Sequence, residues 1–335
     1  MFKRLPGIGL DIGSKKIKMI QVVRRKAGLE IVKFGSLYTP PGTMEAGIIV
    51  DPVRLGEELK FLVRKLNLSG KRVVSAVGGQ QLYIRNLIMP RLKLDEMREA
   101  VYYQSTNFLP IPVEEAAIDI YPVRELENQN EKKTEVFFLA VRKQQVDNLE
   151  MVCRIAELNL AVVEIEPLSI YRAWGKGVGS VVALLAIGSA RSYLTVFNRG
   201  IPVFYRSLAV GSSSSYYTSN VNQANKVTGW QKGMNLNDPP CDPRIMEITN
   251  EVKSALEYYQ LQMESKEQSI EKILLCGGGA MQGLEGDLTQ RLDLELEVVN
   301  ILSGNMLPRH ISPDEEYELQ YDFPLALGLA AREVV

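Results

Sequence analysis

Apolar residues come in short blocks, some alternating with polar positions and some unbroken, and between the blocks leucine and valine return every three or four residues. The chain therefore reads as an α/β protein. Strand, turn and strand are predicted over Ile8 to Val23, and a third strand over Ile31 to Leu37. Asp51-Pro52 opens a helix with Leu55, Leu59, Leu62, Val63 and Leu66 on one face. Arg72 to Val77 is a strand, and Gln81 to Pro90 is extended. Asp95 is the expected N-cap of a helix carrying Met97, Ala100, Val101 and Phe108 on one side, broken by Pro110-Ile111-Pro112. Strands over Ala116 to Val123 and Glu135 to Val141 flank a polar turn, Glu125 to Lys133. The second is apolar from Val136 onward and is expected to be buried on both faces. A helix over Gln144 to Leu158, a strand over Ala161 to Ile165 and a helix from Glu166-Pro167 through Trp174 follow. After a new strand from Ser180, residues 212–244 turn polar and irregular. A helix over Ile245 to Met263, a strand over Ile273 to Cys276, a glycine-opened helix and an apolar helix over Pro324 to Arg332 complete the pattern.

One local pattern occurs twice. Gly9-Leu10-Asp11-Ile12-Gly13-Ser14-Lys15-Lys16 is echoed by Leu184-Leu185-Ala186-Ile187-Gly188-Ser189-Ala190-Arg191, each a strand running through a Gly-Ser turn into a second strand. Such a turn lets backbone N–H groups converge on an anion, because no Cβ stands in the way. Gly13, Ser14, Gly188 and Ser189 are thus phosphate-binding candidates, with Lys15, Lys16 and Lys18 adding charge. Asp11 is placed to hold Mg²⁺ through its water shell. A third element, Ile273 to Ala280, ends a buried strand in Gly277-Gly278-Gly279, where an adenine ring or α-phosphate could lie against bare backbone. Close strand-to-helix packing would call for the same glycines. This element lacks the Gly-Lys-Ser/Thr of a P-loop and the spacing of a Rossmann fingerprint.

At 335 residues two domains are expected, and 46% hydrophobic with 24% charged residues suits a globular protein. With 39 basic and 40 acidic residues there is no global attraction to nucleic acid or to an anionic membrane. Cys153, Cys241 and Cys276 lack metal or redox spacing and read as reduced thiols of a cytoplasmic protein. The single histidine, His310, excludes a multi-histidine metal site and reads as a surface residue. No stretch approaches the length of a membrane-spanning helix.

The duplicated hairpins, Asp11 and the triple glycine together resemble the actin-like ATPase superfamily, whose two domains clamp nucleotide between phosphate 1, phosphate 2 and adenosine segments. Within it, Val74-Ser75-Ala76-Val77, Leu87-Ile88-Met89-Pro90-Arg91-Leu92, Asp95 to Val101, Phe108-Leu109-Pro110-Ile111-Pro112, Val163-Glu164-Ile165-Glu166-Pro167, Ser254 to Tyr259 and Leu325 to Ala330 resemble the PilM family, the cytoplasmic actin-like component of type IV pilus assembly. The resemblance covers essentially the whole chain. It implies a two-domain actin-like ATPase (ribonuclease H-like) fold with duplicated mixed-sheet domains. Domain 1 would span 1–170, with an FtsA-like 1C subdomain at about 79–144. Domain 2 would span 171–319 with the excursion 212–244, and a C-terminal helix over 320–335 would return to the core.

The resemblance also implies a function. ATP and Mg are the expected cofactors, with Lys226 toward the ribose. Ala186 stands where the family's phosphate 2 turn reads Asp-Ile-Gly, leaving Asp11 and Glu166, or Glu164, to position water, so hydrolysis should be weak or absent. The implied partner is a PilN-like membrane protein, whose N-terminal cytoplasmic peptide would lie between the domain 1 core and subdomain 1C. Met89, Leu92 and Leu94 are candidates for one wall, with Tyr102, Tyr103 and Phe108 on the adjoining helix; each could equally pack the subdomain. The C-terminal Arg332-Glu333-Val334-Val335 carries no amphipathic anchor of the FtsA type, so attachment to the inner membrane is expected through the partner, without direct insertion. The expected role is a cytoplasmic scaffold. An ATPase driving pilus assembly, a small-molecule kinase and a filament-forming protein are the alternatives.

Overall fold

In the computed structural model, residues 6–26, 28–128, 131–175, 181–212, 243–262, 269–279, 284–302, 306–308 and 311–334 are described. Most of the predicted excursion, including Lys226 and Cys241, lies outside them, as do Ala280 and His310.

Strand β1 (Gly7–Ile12) turns at Gly13 into antiparallel β2 (Lys16–Arg25), and β3 (Gly28–Tyr38) completes a meander. A short ribbon, β4 (Met44–Glu45) with β5 (Ile48–Ile49), leads to α1 (Pro52–Lys65), whose first turn is capped by the Asp51 carboxylate accepting from Arg54 N–H at 3.0 Å. Strand β6 (Arg72–Val77) then lies parallel to β1.

The chain next leaves the sheet through a turn of 3-10 helix at Gly79–Gln81. It builds a small three-stranded sheet from β7 (Leu82–Pro90), β8 (Ala116–Asn128) and β9 (Glu131–Arg142), ordered β7-β9-β8, with α2 (Leu94–Ser105) on one face. Met89, Met97, Val101, Val136 and Phe138 form its core. The apolar run from Val136 is buried because β9 is the central strand. Three local details differ from expectation. Helix α2 begins one residue before Asp95 and is capped at Lys93, whose N–H donates to Glu96 Oε2 at 3.1 Å. It ends before Phe108, because the Ser105 and Thr106 hydroxyls turn back onto the Tyr102 and Tyr103 carbonyls, each at 2.7 Å. The polar turn between β8 and β9 is shorter than predicted, since Glu125 to Asn128 stay in the ladder.

Helix α3 (Lys143–Ile155) returns the chain to β10 (Asn159–Ile165), giving the order β10-β6-β1-β2-β3. It is shorter than expected because Glu157 adopts φ 63° and binds Lys60 at 2.7 Å. After α4 (Glu166–Trp174) the plan repeats. β11 (Val181–Ile187), β12 (Ser192–Asn198) and β13 (Ile201–Leu208) form a meander. Following α5 (Pro243–Gln262), strand β14 (Lys272–Cys276) pairs parallel with β11, and after α6 (Leu284–Leu292), β15 (Glu295–Val298) pairs parallel with β14. The order β13-β12-β11-β14-β15 matches the first sheet strand for strand. The chain closes with α7 (Pro313–Asp322) and α8 (Pro324–Ala331).

The outer face of the first sheet packs on α1 and α3 through Leu10, Ile17, Leu59 and Val152. The outer face of the second packs on α5 and α6 through Leu185, Leu275, Val252 and Leu288. A third core joins the sheets: Ile20 and Val22 from one, Leu184 and Phe197 from the other, with Ile170 of α4 and Leu327 of α8 between them. A Cβ on Gly9 would lie 1.9 Å from the Ala326 carbonyl oxygen, so glycine here is what lets α8 lie directly on β1. Among the described residues no helix is long and apolar enough to cross a membrane.

Candidate functional site

Both Gly-Ser turns line one cavity of about 430 Å³ between the two sheets, together with Gly277 and Gly278 from the end of β14. Small-molecule sites usually enclose about 300–1,000 Å³. The glycines act differently from expectation: Gly13 N–H closes the first hairpin on Lys16 O at 3.1 Å, and Gly188 N–H closes the second on Arg191 O at 2.9 Å. The N–H groups of Ser14, Lys15, Ser189 and Ala190 keep no backbone acceptor among the described residues, and all four residues line the cavity. Thr39 braces the first turn, its hydroxyl donating to Gly13 O at 2.6 Å.

The three lysines separate sharply. Lys18 Nζ lies 2.6 Å from Asp11 Oδ2, opposite it across the β1–β2 ladder. Lys16 Nζ lies 2.8 Å from Asp322 and 2.9 Å from Glu318 on α7. Burial alone would lower the Lys16 pKa, but these carboxylates outweigh it and push the value well above the ordinary lysine range. Both ammonium groups are thus neutralised within the protein. Lys15 is exposed, lines the cavity and has no acidic partner among the described residues.

The triple glycine is a close crossing as well as a cavity wall. Gly277 has φ +97°, and a Cβ there would stand 2.5 Å from Ile187 O; Gly279 N–H donates to the same oxygen at 2.9 Å. Gly277 and Gly278 line the cavity; Gly279 lies behind them against Ile187. Asp322 joins the two walls: it binds Lys16, and a Cβ on Gly278 would come within 2.6 Å of its Oδ1.

Glu166, at the start of α4, also lines the cavity, pressed so closely on Gly78 that a Cβ there would meet its Cδ at 2.5 Å. Burial first, and the charge of Asp11 next, lift its pKa to about 7 against the opposing pull of Lys18. Glu164 takes no part in the cavity. It accepts from Ser169 Oγ at 2.6 Å and Arg332 Nη1 at 2.7 Å, and is bound by both Arg172 Nη atoms. Where Asp11 faces Lys18 in the first hairpin, Ala186 faces Tyr193 in the second. Among the described residues no cluster of three or more metal-ligating side chains occurs.

The site also holds residues beyond the candidates the glycine turns suggest. Arg191 lines the cavity with Nε and Nη1 shut from solvent and, among the described residues, without a partner. Aligning the two echoes from their glycines places Arg191 opposite Lys16, which was signal enough to find it. Tyr205 of β13 reaches across to the first half, its hydroxyl accepting from Gly79 N–H at 3.1 Å and donating to Gly79 O at 3.0 Å. No local pattern marks that pair.

Away from the cleft, Leu92 and Leu94 line a second cavity of about 380 Å³ with Met97, Pro122 and Arg124. The other peptide-groove candidates are not brought to it. Met89 is buried under α2, and Phe108 stacks edge-on to Phe138 at 5.2 Å with the Arg85 guanidinium above it. Tyr102 and Tyr103 are exposed on α2, edge to face at 5.9 Å.

Two meanders, each extended by two parallel strands and each presenting a glycine turn to a shared cleft, define the actin-like ATPase fold. Residues 9–334 match the family described as type IV pilus assembly protein PilM, and the chain belongs to that family. It is similar to a solved structure titled "PilM-PilN type IV pilus biogenesis complex", with 24% identity over 99% of both chains and a TM-score of 0.82. Looser likenesses include the ethanolamine utilization protein EutJ from Carboxydothermus hydrogenoformans (14% identity, 97% of this chain and 89% of that one, TM-score 0.48). Another is MreB5 of Spiroplasma citri bound to ADP (12% identity, 90% and 93%, TM-score 0.48).

Proposed function

We propose that the protein is a cytoplasmic scaffold of the type IV pilus inner-membrane platform. It holds the N-terminal cytoplasmic peptide of a PilN-like membrane protein and binds ATP in its cleft with little or no hydrolysis. The observation that carries this reading is the convergence of two glycine turns and a triple-glycine loop on one cavity, in a chain whose second turn has Ala186 for its acid. The partner is inferred from membership of the PilM family and from likeness to a protein solved with PilN. An extended peptide burying two or three apolar side chains suits the cavity at Leu92 and Leu94, where Arg91 and Arg124 flank an apolar floor. Membrane attachment is then the partner's. Calorimetric titration of the PilN-like N-terminal peptide, with and without Mg-ATP, tests the reading: saturable binding of an apolar-rich peptide is expected, and no binding in either condition overturns it.

Glu166 favours a second reading, an active ATPase, because a cavity-lining carboxyl with a pKa near 7 can exchange protons with water at neutral pH. Sustained phosphate release that disappears in Glu166→Gln would establish that reading and displace the passive cleft.

A further inference from the structure

The two hairpins align through their own hydrogen bonds: Gly13 closes on Lys16, and Gly188 on Arg191. Arg191 therefore holds in the second turn the place that Lys16 holds in the first. Lys16 has two carboxylates, and its neighbour Lys18 has one. Among the described residues Arg191 has none, and its buried Nε and Nη1 have no acceptor. A lysine in that position could shed its proton, but a guanidinium stays charged in any protein setting. A buried cation without an acceptor is costly. The group that would satisfy these donors is an anion with several oxygens, as on a phosphate or diphosphate.

The same turn is ill suited to a divalent cation. Ala186 provides no carboxylate, and Asp11 is already paired with Lys18. Exchanging an acid for alanine and leaving an arginine free both make this wall more positive. Resting on the reading of the cleft as a nucleotide site, we infer that Arg191 is its anion-binding residue and stands in for magnesium, so that the cleft takes a di- or triphosphate without a metal ion. Lys15 and the open N–H groups of both turns complete the cradle.

The test is calorimetric titration of the full chain with ATP and with pyrophosphate, each in excess EDTA and in excess magnesium. Binding of ATP in EDTA at least as tight as in magnesium is expected. Arg191→Ala should weaken it by about tenfold or more, the span of a charge-assisted hydrogen bond or two. Arg191→Lys, which keeps the charge but loses the planar set of donors, should fall between. An unchanged thermal midpoint shows that each variant is folded. ATP binding only with magnesium, or undiminished binding to Arg191→Ala, overturns the inference. Pyrophosphate binding in EDTA that needs Arg191, without ATP binding, sustains the anion site and overturns the nucleotide reading alone. No binding of either anion overturns both.

Discussion

Lys18 Nζ lies 2.6 Å from Asp11 Oδ2 in a directly opposed pair on β1 and β2, at the back of the cleft, with both side chains largely buried. A pair of this kind adds little net stability over an apolar pair of the same shape, yet breaking it leaves a charge stranded. Asp11→Asn is therefore expected to destabilise the protein by about 3–5 kcal/mol in urea unfolding, while Asp11→Leu with Lys18→Met should cost much less. The same change removes the negative charge that helps raise Glu166, so Glu166 in Asp11→Asn should titrate below its value of about 7, readable from its carboxyl carbon by NMR.

Glu166 makes stability depend on pH in an unusual direction. Its folded pKa of about 7 lies above its ordinary 4.5, so between those values the folded state holds a proton that the unfolded chain has released. Stability should fall as pH rises from 4.5 to 7 and level off above. Glu166→Gln mimics the protonated form and removes the decline. Above pH 7.5 it should be more stable than the parent by up to about 3 kcal/mol, less whatever solvent contact screens. A parent profile that is flat over this range would contradict the assignment.

The parts of this architecture that the sequence exposes are those set by local forces. Alternation and turn glycines define both hairpins, and because each hairpin is a short-range unit its duplication can be read from the Gly-Ser echo alone. The Asp11–Lys18 pair is local as well, but it became visible only when strand register was known. The partners of Lys16 could not be foreseen, since Glu318 and Asp322 lie 302 and 306 positions along the chain and are delivered by the packing of α7. Phe108 was placed on the wrong element because helical periodicity continued past the point where the Ser105 and Thr106 hydroxyls end the helix. Apolar spacing also could not tell Met89, which fills the subdomain core, from Leu94, which faces water.

Glu164 is the counterpart to Glu166, two residues before it at the end of β10, with its pKa shifted the other way. Burial would raise its pKa, but Arg172, Ser169 and Arg332 outweigh burial and hold it below the carboxylate range. Its contribution is present above the ordinary carboxylate pKa and is lost as pH falls through the depressed folded value. Glu164→Gln would leave Arg172 and Arg332 without their shared acceptor and should cost about 3–5 kcal/mol at neutral pH. The difference from the parent should shrink only as pH falls well below 4.5, which urea titrations at pH 7 and in steps down to about pH 3 would measure.

Tyr205 and Gly79 form a small latch between the sheets at the edge of the cleft. Tyr205→Phe keeps the ring beside Tyr193 and removes only the hydroxyl. A loss of about 0.5–1.5 kcal/mol is expected. Amide exchange at Gly79 should quicken more than exchange in β1, because the effect is confined to the contact. Uniform acceleration across both sheets would mean that the hydroxyl supports the fold rather than the latch.

Met89 and Leu94 separate packing from docking in the small sheet. Met89 is 5% exposed and touches the α2 core, so Met89→Ala should cost about 2–5 kcal/mol of stability. Leu94 is 43% exposed and lines the cavity at the start of α2. Leu94→Glu should leave the thermal midpoint within a degree or two, since exposed positions shift stability by about 0.5 kcal/mol or less. If that cavity receives the PilN-like peptide, a carboxylate on its apolar floor must be desolvated on binding, and affinity should drop by about tenfold or more. Peptide titration against both variants decides the matter. Normal affinity in Leu94→Glu would move the docking site elsewhere on the subdomain, toward Tyr102 and Tyr103 on the exposed side of α2.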